Sequence, residues 1–127
     1  MTLIMLQQFK YERETWSRLL NYLEEENILY KNRIAVILKK DTDNMLIEMI
    51  EIFLNKFVLE DAIIAIFRHD ISSASKKIPA IENGIIDKSS YEEIVITQNK
   101  LRSEIEIIEQ QFNRLKFEFN KYMSKAS

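Results

Sequence analysis

Apolar residues recur along this chain in alternating steps of three and four, and that spacing leaves few folds open. On a helix of 3.6 residues per turn, such steps keep side chains on one face. The first register runs Leu6, Phe9, Arg13, Trp16, Leu20, Leu23, Asn27, Tyr30, Ile34 and Ile37, apolar except at Arg13 and Asn27. The second runs Leu46, Ile50, Phe53, Phe57, Glu60, Ile64, Phe67, Ile71 and Ala74, broken only by Glu60. The third runs Ile94, Gln98, Leu101, Ile105, Ile108, Phe112, Leu115, Phe119 and Tyr122, broken only by Gln98. A half-buried strand needs period two, so this pattern predicts long packed helices.

The punctuation agrees. The chain has one Gly and one Pro in 127 residues, against roughly 7% and 5% in ordinary proteins. Hairpins and barrels therefore lack their turn residues. Lys39 and Lys40 suit a helix C-terminus, and Asp41, Thr42 and Asp43 suit the next N-terminus. Ser89 with Glu92, and Ser90 with Glu93, form capping-box pairs for a helix starting near Tyr91. Lys76 and Lys77 precede Pro79, and Asn83-Gly84 is a turn dipeptide. The expected helices span about residues 3–40, 43–76 and 90–124, with a loop at about 77–89. Short links make neighbours antiparallel. The predicted fold is all-α: a single domain over residues 1–127, an up-down-up bundle of three long helices with coiled-coil-like packing.

Composition narrows the partners. Net charge is −2, whereas binding to a phosphate backbone calls for a basic surface. There is no cysteine, hence no disulfide, thiolate nucleophile or zinc–sulfur site. No apolar run approaches the ~20 residues of a membrane span. Leu3 to Leu6 is too short, and lacks the basic start, for a secretory signal. These features predict a soluble cytoplasmic protein without a nucleic-acid or membrane partner.

The second helix carries more apolar surface than one seam uses. A parallel stripe holds Met45, Met49, Ile52, Leu59, Ile63 and Ile66, and Ile47, Leu54 and Val58 widen the surface on the other side. Two neighbouring helices leave part of this uncovered, which predicts a protein partner, foremost a second copy in a homodimer. The competing expectation is a monomer whose long helices wrap fully around helix 2.

Catalytic and metal signatures are missing. Di-iron bundles need Glu-x-x-His pairs, but Ile66 stands three residues before His69, the sole histidine. Glu48 and Glu51 match half of the magnesium motif of all-helical nucleotide pyrophosphohydrolases, but no Glu is followed by Asp three residues later. A single glycine cannot form a phosphate loop. His69 and Asp70 are adjacent, so their side chains diverge by about 100° on a helix. No catalytic residue, cofactor or metal ligand is assigned.

The register breaks remain. Counting outward from the links sets Arg13 against Asp70, with Gln98 and His69 nearby, and Asn27 against Lys56, with Glu60 nearby. The simpler reading is that these polar layers fix alignment and partner choice. The sharper one is a small-molecule pocket at Arg13, Asp70 and Gln98, with Arg13 holding an anion. The expected function is a non-enzymatic interaction or scaffold protein that self-associates or binds a helical partner. The alternative is a small-molecule-binding bundle, enzymes included.

Overall fold

The computed structural model describes residues 3–41, 43–79, 83–84 and 88–126. Three helices follow in order: α1 (Leu3–Lys40), α2 (Asn44–Ser75) and α3 (Lys88–Ala126). Asp43 caps α2, its carboxylate accepting from the amides of Met45 at 3.0 Å and Leu46 at 3.3 Å. That cap satisfies amides the helix itself cannot. Thr42, the neighbouring expected cap, lies outside the described residues.

α3 starts at Lys88 rather than near Tyr91, so Ser89 and Ser90 sit inside its first turn. Of the expected loop, residues 80–82 and 85–87 lie outside the described residues. Gly84 has φ +70°, the left-handed conformation that glycine adopts at least cost. Ile78 and Pro79 are helical, and the Asn83 amide donates to the Pro79 carbonyl at 3.1 Å. Ile78 is buried, a core residue the loop expectation omits.

Every position of the three apolar registers is buried or half-buried, register breaks included. Trp16, Phe53 and Phe112 share one interior with Leu20, Ile50, Phe57 and Phe119. Rings crowd the end nearest the α1–α2 link. Tyr30 stacks on Phe57 at 5.1 Å, and Phe119 meets Phe53 edge-on at 5.4 Å and Phe57 at 5.8 Å. Such edge and offset contacts add to the gain from burial.

Polar rungs fix the directions of the helices. Glu12 pairs with Arg102, Glu26 with Lys116 and Tyr30 with Asn120, each separated by 90 residues. A constant offset means that α1 and α3 run parallel. Between α1 and α2, Arg68 binds Asn21 and Glu24, and Lys31 binds Asp61. Rising numbers on one helix meet falling numbers on the other, so these two are antiparallel. The architecture is the up-down-up, all-α bundle the spacing predicts.

Candidate functional site

Two regions stand out. The first is a buried polar chain towards the N-terminal end of α1. The Arg13 side chain is enclosed, and its Nε donates to Gln98 Oε1 at 2.9 Å. Its Nη1 donates to Ser75 Oγ at 3.3 Å, and that hydroxyl donates to the Ile71 carbonyl at 2.8 Å. Gln98 Nε2 donates to the Phe9 carbonyl at 3.3 Å and to Glu12 Oε1 at 3.1 Å. Arg102 grips Glu12 in a two-pronged pair at 2.7 and 2.6 Å. All three helices are thereby threaded on one hydrogen-bonded chain, with Arg13 at its centre.

The electrostatics follow from these contacts. The Arg102 hydrogen bond holds the Glu12 carboxyl below its ordinary value, and Glu12 raises Arg102 in return. Desolvation lowers the pKa of Arg13. A guanidinium still keeps its proton in a protein, so Arg13 is a buried cation. Its Nη2 has no acceptor.

The anticipated Arg13–Asp70 pair does not form: Arg13 meets Ser75, five residues beyond Asp70. The reason is geometric. Side chains lean towards the N-terminus of their own helix. In an antiparallel pair the two leans are opposed, so long side chains meet about a turn further along than counting from the link gives. Asp70 is half-exposed, and the His69 side chain is 80% exposed with Nδ1 3.9 Å from Asp70 Oδ1. Arg13 and Gln98 are brought together; His69 and Asp70 lie outside their layer. Ser75 and Glu12 were missed because neither interrupts the apolar register.

The middle layer is also re-partnered. Asn27 Nδ2 donates to the Phe57 carbonyl at 2.9 Å and to Asp61, rather than meeting Lys56. Lys56 is exposed, its Nζ 5.6 Å from the Phe53 ring centre. Glu60 is buried with one carboxylate oxygen unpartnered, and burial pushes its carboxyl above the ordinary value. Among the described residues no group of three or more His, Asp or Glu forms a metal-binding cluster. No helix among them is long and apolar enough to cross a membrane.

The second region is the α2–α3 face. Met45, Met49, Ile52, Leu59 and Ile66 are exposed, from 37% at Met49 to 78% at Met45. Ile63 is half-buried against the core. Ile63, Ile66 and Ile107 line a groove of about 310 Å³ with Asp70 and Glu104 at its edge. The other two seams are bridged by ion pairs, Lys31–Asp61 and Arg68–Glu24 on one side, Glu12–Arg102 and Glu26–Lys116 on the other. Between Leu59 and Asp70, no ion pair or hydrogen bond crosses from α2 to α3 among the described residues.

Comparison with known proteins finds no match. No family model fits the chain, and no curated protein or solved structure is significantly similar to it.

Proposed function

We propose that this chain is a protein-interaction module that docks a second copy of itself through the α2–α3 face. One observation carries the reading. Ile66 and Ile107 stand exposed at an apolar groove, with Leu59 exposed further along α2, on the Leu59–Asp70 stretch that no ion pair or hydrogen bond bridges to α3 among the described residues. Contiguous apolar surface of this kind is where partners settle, because its burial removes oil from water at no cost in lost ion pairs. A helix laid into a groove reads as anchors three and four residues apart, and Leu59, Ile63 and Ile66 have that spacing. The buried polar layers set the alignment of the three helices, so each copy presents the same rigid face. A two-fold pair would then place the same patch on both sides.

Light scattering during size exclusion tests this. The expected mass is twice the 15.2 kDa chain mass, falling towards one chain on dilution. Ile66→Glu combined with Ile107→Glu is expected to give a monomer with unchanged helical circular dichroism. A wild-type chain that stays monomeric at millimolar concentration would refute the reading.

A further inference from the structure

On the outer stripe of α2, Lys56 and Asp70 stand seven residues to either side of Ile63. Leu59, Ile63 and Ile66 fill the space between them, so the stripe runs cation, three apolar anchors, anion. Lys56 is exposed, and among the described residues its ammonium meets no carboxylate; its partner is the Phe53 ring, 5.6 Å away. Asp70 is half-exposed and has only the exposed His69 beside it, at 3.9 Å.

The charges around these two are otherwise closed. Glu104, at the groove edge on α3, has Lys100 at 3.8 Å, and Lys77 binds Glu93. Asp61 is held to α1 by Lys31, and Glu60 is buried. Further along α3, Arg114 and Glu118 are opposite in sign and one turn apart. The stripe therefore keeps a positive charge at Lys56 and a negative one at Asp70, about 21 Å apart at 1.5 Å per residue. A pattern that changes sign about its centre matches itself in one sense only. Run antiparallel, two copies of α2 bring Lys56 of each towards Asp70 of the other. Run parallel, Lys56 meets Lys56 and Asp70 meets Asp70, and like charges repel.

We propose, resting on the docking face above, that the second copy lies antiparallel along α2, with the two-fold axis between Leu59 and Ile63. Leu59 of each copy packs on Ile63 of the other, and Lys56 lies alongside Ile66. Side chains lean towards the N-terminus of their own helix. The Lys56 ammonium thus reaches one turn further, to Asp70 and Glu104 of the second copy. The same overshoot operates inside the bundle, where Arg13 passes Asp70 and meets Ser75. The apolar anchors supply affinity, and the two charge pairs supply orientation and register.

Lys56→Glu and Asp70→Lys test this, with association followed by sedimentation equilibrium. Each variant alone sets like charges together twice per dimer. Its dissociation constant should rise about tenfold over wild type, the scale of two exposed pairs turned from attraction to repulsion. Mixed one to one, the two variants should recover near-wild-type association, because the mixed dimer holds opposite charges at both contacts. A second readout does not depend on charge. The chain has no cysteine, so Lys56→Cys and Asp70→Cys chains, mixed with a short bismaleimide, should cross-link to each other in preference to themselves. A wild-type chain that stays monomeric at millimolar concentration overturns both this register and the docking reading. A wild-type dimer that Ile66→Glu with Ile107→Glu dissociates, but that neither charge variant weakens, keeps the face and overturns the register. Preferential cross-linking of Lys56→Cys to itself does the same.

Discussion

Arg13 and Gln98 are joined by a 2.9 Å hydrogen bond across 85 residues of sequence. Each stands at an apolar-register position of its helix, and each is buried because that register is buried. The pair therefore makes a stability prediction independent of any ligand. Gln98→Leu leaves the Arg13 Nε without an acceptor inside the bundle. The expected loss is about 2–4 kcal/mol in urea unfolding, the range for a stranded buried charge. Adding Arg13→Met should recover most of it, to within about 1.5 kcal/mol of wild type, because replacing a whole buried polar pair by apolar groups is close to neutral. A double variant as unstable as the single one would show that Arg13 has a further role in the fold.

Glu60 makes stability depend on pH with a definite sign. Burial raises its carboxyl above the ordinary 4.5. A carboxyl whose native value is raised contributes fully below the unfolded value, and that contribution is lost as pH rises through the native value. Glu60→Leu is thus expected to raise the urea midpoint at pH 7, by about 1–3 kcal/mol of stability. The gain should shrink as pH falls towards 4.5 and the wild-type carboxyl takes up its proton. Glu12 acts in the opposite sense: held low by Arg102, it stabilises above the ordinary 4.5, and the benefit disappears as pH falls through its native value. Urea midpoints across this range, for wild type and Glu60→Leu, separate the two.

Phe57 sits where rings from all three helices meet: Tyr30, Phe112 and Phe119 surround it. Phe57→Ala should cost about 3–5 kcal/mol, the usual range for a buried aromatic removed from a packed core. Phe117→Ala, on the exposed side of α3, should change stability by less than about 0.5 kcal/mol. Chemical unfolding of the two variants side by side measures the difference.

The helices were legible because one physical rule governs both spacing and burial. Leu20, Phe57 and Phe112 recur at three and four, and the face they share is the face that loses water. The same rule found Arg13, Asn27, Glu60 and Gln98, since a polar residue in an apolar register is carried inside with its neighbours. Their partners were not legible to the same degree. Counting from the link gave Asp70 for Arg13, whereas opposed side-chain lean delivers Ser75. Asn27 binds a main-chain carbonyl at Phe57, a partner every residue offers and no sequence letter marks. Pro79 predicts a loop that includes Ile78, yet a helical turn there turns Ile78 inward.

The parallel course of α1 and α3 has a mechanical consequence. Leu3 begins α1 and Ala126 ends α3, so the two lie at opposite tips of a rod, roughly 55 Å long at 1.5 Å per residue. Tension applied between those tips slides α1 against α3 along their common axis, loading the Glu12–Arg102, Glu26–Lys116 and Tyr30–Asn120 rungs together rather than peeling them one by one. Cargo fused at either tip would be held apart by a stiff strut.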